Sequence, residues 1–166
     1  MPSITPSLWF DNNLEEAAQF YTSIFPNSTI EALHRNTEAG PGTPGDVVYG
    51  TFVLDGHRFL GINGGPAFQF TEAVSLMVEC KDQEEVDYYW DRLVAGGEES
   101  QCGWLKDRFG LSWQITPTRL FELQEDPDPV RAAAVTRALH GMRKIVIAEL
   151  EDAASNAKGA DVPLSR

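Results

Sequence analysis

Short runs with alternating apolar and polar residues recur along this chain, and two related stretches between them have apolar residues at helical spacing instead. The first helical stretch includes Glu15-Glu16-Ala17-Ala18-Gln19-Phe20-Tyr21. A related segment, Glu84-Glu85-Val86-Asp87-Tyr88-Tyr89-Trp90, starts 69 residues later, at position 84 instead of 15. Each segment follows an apolar run that is typical of a strand, and each leads into a turn. Such a repeat predicts that one strand-and-helix module has been duplicated.

The first module, about residues 4–64, is predicted to run strand–helix–strand–strand–strand. Its strands are expected over 4–10, 29–35, 47–54 and 57–63, and its helix over 14–25. Asp11, Asn12 and Asn13 are candidate caps for this helix. Asp55-Gly56 is typical of a tight hairpin turn.

The second module, about residues 72–117, is predicted to repeat this order after a glycine-rich linker. Its strands are expected over 73–80, 98–101, 103–107 and 111–115, and its helix over 83–95. The two modules together make a predicted domain over 1–117. A helical extension is expected over 118–156, with helices at 118–125, 129–139 and 142–155, followed by a disordered tail over 157–166.

Composition narrows the class of protein. The 166 residues carry a formal net charge of −12, which opposes binding to the phosphate backbone of a nucleic acid. No stretch approaches the roughly 20 apolar residues of a membrane span, and the amino terminus has no signal-peptide pattern. Two cysteines, Cys80 and Cys102, match no metal-ligand spacing. We therefore expect a cytoplasmic protein with no nucleic-acid or membrane partner.

Several motifs resemble the PhnB-like branch of the vicinal oxygen chelate superfamily, which includes glyoxalase I, extradiol dioxygenases and bleomycin resistance proteins. This branch often has the name 3-demethylubiquinone-9 3-methyltransferase domain. The motifs are Leu8-Trp9-Phe10-Asp11, Phe20-Tyr21, Gly61-Ile62-Asn63-Gly64-Gly65-Pro66 and the stretch from Gly103 to Pro117. The resemblance implies an α+β fold in which two βαβββ modules form a curved mixed sheet around a cavity. It also implies a homodimer.

Metal-dependent relatives take His, Gln or Glu ligands from the first and last strand of each module. The corresponding residues here are Thr5 or Ser7, Asn63, Ser75 and Gln114. This set contains no imidazole and no carboxylate, and neutral oxygens alone offer little charge to a divalent cation. We therefore expect no metal and no cofactor. The three histidines lie elsewhere in the chain.

Strand alternation adds further candidates to the amides of Asn63 and Gln114, which the repeat makes equivalent. The predicted ligand-binding residues are Trp9, Asn63, Ser75, Met77, Trp104, Ser112 and Gln114. Trp104 and Phe68 are candidates to close the mouth of the cavity. Glu79 is the one candidate general base, and the simpler alternative for it is a solvated carboxylate at a strand end. An alternative is that all these side chains simply fill the space between the sheets.

Three functions remain open from the sequence. The leading one is the binding of a small, partly apolar organic molecule in a metal-free cavity, with or without its transformation. The second is sequestration of a ligand, as in bleomycin resistance proteins. The third is a metal-dependent lyase, isomerase or dioxygenase. Methyltransferase activity is not expected, because no helix follows the Gly64-Gly65 turn as a nucleotide-type glycine loop requires.

Overall fold

Two compact units make up the protein. The computed structural model describes residues 2–157, and these residues divide between Thr71 and Glu72. Each unit contains a four-stranded sheet and a helix in the order βαβββ, and the second unit continues into three further helices. The predicted α+β fold of two βαβββ modules is confirmed.

The first unit forms a mixed sheet with one helix. Its elements are β1 (Ser7–Phe10), α1 (Leu14–Ile24), β2 (Thr29–Arg35), β3 (Val47–Leu54) and β4 (His57–Asn63). The strand order is β1-β4-β3-β2, and only β1 and β4 are parallel. Strand β1 starts at Ser7, later than the predicted residue 4, because Pro6 has no amide hydrogen to donate to the ladder.

Helix α1 packs against one face of this sheet. Leu8 and Phe10 point toward it, and both are buried. Gly61 on β4 lies where Leu14 comes closest, and a Cβ atom at this position would collide with the Leu14 side chain. This close approach explains the glycine within the Gly61–Pro66 motif.

The second unit has the same topology with shorter outer strands. Its elements are β5 (Ser75–Cys80), α2 (Gln83–Leu93), β6 (Glu98–Glu99), β7 (Trp104–Lys106) and β8 (Ser112–Pro117). The order is β5-β8-β7-β6, and the β5–β8 pair is parallel. Strand β6 ends earlier than predicted because residues 100–103 form a turn in which Cys102 and Gly103 have positive φ angles. Asp82 caps helix α2 by accepting a hydrogen bond from the Glu85 amide.

Three helices follow β8, namely α3 (Thr118–Gln124), α4 (Pro129–His140) and α5 (Ile147–Asn156). The predicted start of the last helix at residue 142 is wrong. Residues 142–146 stay non-helical because the carbonyls of Met142 and Arg143 accept hydrogen bonds from the Cys102 and Gly103 amides. Residues 158–166 of the predicted tail lie outside the described residues.

The apolar stripe of this extension is buried within its own chain. Ile145 and Leu150 are 0% exposed, in a cluster with Leu120, Leu123, Val135, Leu139, Met142 and Ala154. The stripe is therefore not available as a contact for a second chain. None of the described helices is long and apolar enough to cross a bilayer.

A buried carboxylate organises the turn between β7 and β8. Asp107 is 2% exposed. Its Oδ1 accepts hydrogen bonds from the amides of Phe109 and Leu111 at 2.8 and 3.1 Å, and its Oδ2 accepts one from Trp113 Nε1 at 2.8 Å. Three donors compensate the desolvated charge and fix the geometry of the turn.

Replacement of Asp107 by Asn is expected to lower the free energy of unfolding by about 2–4 kcal/mol, since an amide nitrogen must face one of these three donors. Urea unfolding followed by tryptophan fluorescence measures the change. Asp152→Asn, which makes the same substitution at an exposed position of α5, is the matched control. A loss no larger than that of the control would contradict the structural role of Asp107.

Candidate functional site

The two faces of the second sheet differ in character. Trp113 and Ile115 of β8 are buried on the face that α2 covers. On the other face, Gln114 lies beside Met77 of β5 and Trp104 of β7 in the strand ladders. We call this side the Gln114 face. It brings together five of the seven predicted ligand-binding residues, which are Ser75, Met77, Trp104, Ser112 and Gln114.

One hydrogen bond fixes the amide at the centre of this face. Gln114 Nε2 donates to Ser75 Oγ at 2.8 Å. Both side chains are half-buried, and Gln114 Oε1 bonds no described residue. Met77 beside them is 48% exposed. A held amide with a free acceptor next to an accessible apolar side chain is a typical recognition element for a small molecule.

A small cavity lies at the β6–β7 edge of the Gln114 face. Its volume is about 110 Å³, and Glu72, Glu98, Trp104, Lys106 and Ser112 are among the residues that line it. Lys106 Nζ lies 2.6 Å from Glu72 Oε1. This hydrogen bond lowers the pKa of Glu72 and raises that of Lys106. Ser112 is 1% exposed, and its Oγ has no hydrogen-bond partner among the described residues.

The charged residues of this cavity were not predicted from the sequence. Lys106 follows Trp104 by two positions, so strand alternation could have placed both on one face. Glu72 lies before β5, and Glu98 lies in a two-residue strand. No periodic pattern extends to either residue.

Asn63 lies in the first unit, on the face of its sheet that packs against helix α1. Its Oδ1 accepts a hydrogen bond from the Leu14 amide at 3.0 Å, and its Nδ2 donates to the Val47 carbonyl at 2.9 Å. Asn63 therefore caps helix α1, a role that the sequence assigned to Asp11, Asn12 or Asn13. The helix start at Asn13 has no side-chain cap of its own.

The predicted equivalence of Asn63 and Gln114 is wrong by one residue. The prediction matched residues 60–63 with 111–114, but the first pairs of the parallel ladders are Ser7 with Leu60 and Ser75 with Ser112. When these pairs are matched, Ile62 is the counterpart of Gln114. Because side chains alternate between faces, this single step moves Asn63 to the helix side.

Trp9 lies on the face of the first sheet that corresponds to the Gln114 face. Its Nε1 donates to the Gly65 carbonyl at 2.9 Å, and its ring meets Phe68 edge-on at 4.9 Å between centroids. Gly64 lies against the Trp9 ring without room for a Cβ atom. The Gly64-Gly65 turn thus packs against the Trp9 ring and accepts its hydrogen bond. Phe68, 65% exposed, contacts this ring in the first unit, whereas Trp104 belongs to the second.

The remaining titratable candidates are scattered. Glu79 is exposed on the Gln114 face, beside Thr116 in the ladder. His34 stacks on Tyr49 with ring centroids 4.2 Å apart. Burial, with smaller effects of Glu85 and Asp82, raises the pKa of the Cys80 thiol to about 12. Among residues 2–157, no three His, Cys, Asp or Glu side chains are grouped as metal ligands.

Comparison with known families identifies the chain. The sequence model of the family described as 3-demethylubiquinone-9 3-methyltransferase matches residues 2–116. The chain belongs to this family. The predicted resemblance to the PhnB-like branch is thereby confirmed. The match ends one residue before the last residue of β8, so the family's region coincides with the two βαβββ modules.

Solved structures extend the comparison for this 3-demethylubiquinone-9 3-methyltransferase family member. A PhnB protein from Bacillus cereus, which carries the same methyltransferase name, is 38% identical over 70% of this chain and 100% of its own, with a TM-score of 0.66. Protein PA1353 from Pseudomonas aeruginosa is 20% identical over 70% of this chain and 98% of its own, with a TM-score of 0.58.

The fosfomycin resistance protein FosX from Listeria monocytogenes, solved with Mn(II) and sulfate, is 18% identical over 68% of this chain and 88% of its own, with a TM-score of 0.51. At this level of identity, PA1353 and FosX show a shared fold alone. Among proteins with curated descriptions, none matches this family member.

We expect Asn63→Ala to lower the free energy of unfolding by about 1–3 kcal/mol, because the Leu14 amide and the Val47 carbonyl both lose their partner. Urea unfolding measures this loss. Gln19→Ala removes an exposed amide from α1 and serves as the control. Stability equal to that of the control would show that Asn63 is not a structural cap.

Proposed function

We propose that this protein binds a small, partly apolar organic molecule on the Gln114 face without the help of a metal. The observation that supports this most directly is the Gln114–Ser75 hydrogen bond, which fixes an amide between Met77 and Trp104. The ligand's apolar part would pack on these two side chains, and one donor of the ligand would meet Gln114 Oε1.

A divalent metal does not fit the residues at this position. FosX binds Mn(II) in its solved form. At the position of the predicted ligands, Ser75 and Gln114 offer only neutral oxygens, and Glu79 on β5 adds a single exposed carboxylate there. One carboxylate is a poor match for ions that prefer several charged oxygen or imidazole ligands. No step of the proposed function involves a metal.

S-adenosylmethionine, which the family's name implies, does not fit the glycine turn either. The ring of Trp9 occupies the space beside Gly64, and the Gly65 carbonyl is already its acceptor. The next helix after this turn begins only at Gln83. The turn therefore offers no cradle at a helix N-terminus for a nucleotide-like group.

Binding and sequestration need only the Gln114 face, whereas transformation of the ligand also needs an acid or base within reach. Glu79 is the candidate for that role, because it shares this face with Gln114. Turnover that falls in Glu79→Gln while ligand binding remains would favour an enzyme.

We also propose a cytoplasmic location. The two free cysteines, Cys80 and Cys102, are in keeping with a reducing compartment.

Benzamide is a suitable probe, since it combines an aromatic ring with amide donors. We expect it to shift the NMR signals of the Trp104 indole and the Gln114 side-chain amide in a saturable way. Gln114→Leu is expected to weaken binding by about 3–10-fold, through loss of one hydrogen bond. EDTA is expected to leave the affinity unchanged.

Gln19→Leu, a change of the same size on α1, is the control for this titration. Unchanged affinity in Gln114→Leu, or binding that disappears with EDTA and returns with Mn(II), would contradict the proposal. The second result would favour the metal-dependent alternative.

We also propose a homodimer. The helical extension buries its own apolar stripe, but Tyr49, Val74 and Met77 remain 42%, 65% and 48% exposed. Transfer of these side chains from water into an interface would be favourable, because burial of apolar surface lowers the free energy. Light scattering after size-exclusion chromatography is expected to give twice the chain mass of 18.4 kDa. Val74→Lys should shift this mass toward the monomer, whereas Gln124→Lys on α3 should not. A wild-type protein that stays at the monomer mass at all concentrations would contradict the dimer.

A further inference from the structure

The cavity beside Ser112 is lined by a buried hydroxyl that bonds none of the described residues. Ser112 is 1% exposed, and its Oγ lacks a hydrogen-bond partner among the described residues. Its ladder neighbours are Ser75 and Lys106, so its side chain lies on the Gln114 face and lines the cavity. An unpaired buried hydroxyl is unfavourable by about 1–3 kcal/mol, which a ligand with a complementary group would recover.

The charges around this cavity do not balance. Glu72 and Lys106 neutralise each other at 2.6 Å. Glu98 lies directly opposite Lys106 in the β6–β7 ladder and forms no ion pair with a described residue. Two carboxylates thus face one ammonium group, which leaves one negative charge uncompensated.

A third carboxylate nearby does not change this balance. Glu99 also lines the cavity, but its Oε2 bonds Arg143 at 3.3 Å and its Oε1 accepts from Trp90 Nε1 at 3.4 Å. Its charge is therefore compensated by Arg143. The uncompensated negative charge is therefore that of Glu98.

An aromatic ring and a small volume complete the site. Trp104 lines the cavity, and the face of an indole attracts cations. At about 110 Å³, the cavity is smaller than the roughly 300–1,000 Å³ of a pocket for a whole drug-sized ligand. It can therefore take one end group of a larger molecule whose remainder lies along the Gln114 face.

We propose that this cavity is a subsite for a protonated primary amine, so that the protein's ligand is a partly apolar amine. The ammonium group donates to the Glu98 carboxylate and to Ser112 Oγ, and Trp104 covers its first methylene groups. A quaternary ammonium group is disfavoured, because it has no N–H to satisfy Ser112. This inference rests on the proposed binding function of the Gln114 face and specifies the class of ligand.

Three probes of matched shape test the charge preference, namely n-propylammonium, propionate and 1-propanol. We expect only n-propylammonium to shift the NMR signals of the Trp104 indole and the Ser112 amide in a saturable way. Ser112→Ala should weaken its binding by about 3–10-fold. Glu98→Gln should weaken it by about 2–5-fold, with a larger effect at low salt.

Glu84→Gln is the matched control, since it removes the same charge from an exposed position on α2. The inference is overturned if the three probes act alike, or if both Ser112→Ala and Glu98→Gln keep wild-type affinity for n-propylammonium. Because Glu98 is exposed, its variant is informative even if Ser112→Ala folds poorly. Benzamide binding that persists when n-propylammonium fails would leave the proposed function intact, whereas loss of both would remove the two together.

Discussion

The buried carboxylate of Asp107 holds the segment on which the candidate site depends. Its three hydrogen bonds fix the turn that joins β7 to β8. Trp104 and Lys106 lie on one of these strands, and Ser112 and Gln114 lie on the other. A change in the turn would shift the ladder in which Trp104 faces Gln114. Because a one-residue slip moves every side chain to the other face, the site exists only in this register.

Two amides in the same chain show how position decides the role of a side chain. Asn63 has both polar groups bonded within its unit, to the start of α1 and to β3. Gln114 Nε2 donates a hydrogen bond to Ser75, whereas Gln114 Oε1 bonds no described residue. Sequence alone presents the two as similar polar residues near strand ends. The face on which each lies separates a helix cap from a candidate ligand contact.

The elements and their order could be predicted from periodicity, because one face of each sheet packs on a helix and the alternation is regular. The Gln114 face followed for the same reason, since Ser75, Met77 and Gln114 obey period two. The equivalence of Asn63 and Gln114 failed because residues 60–63 were matched with 111–114 by their sequence pattern, which does not show on which face of the sheet each amide lies. The start of α5 failed because the Met142 and Arg143 carbonyls bond residues some 40 positions away. The Glu72–Lys106 pair could not be predicted either, because it joins a loop to a strand that is distant in the sequence.

The negative charge of the protein bears on ligand binding only at the cavity. A formal charge of −12 spread over a surface says little about a ligand, since solvent and salt screen exposed groups within about 10 Å. At the β6–β7 edge, however, Glu98 lines the same small cavity as an indole ring and a buried hydroxyl that bonds no residue between 2 and 157. Each feature alone is compatible with an ordinary surface. Together they satisfy the three requirements of a primary ammonium group: an opposite charge, an acceptor for its hydrogens and an apolar wall for its methylene chain.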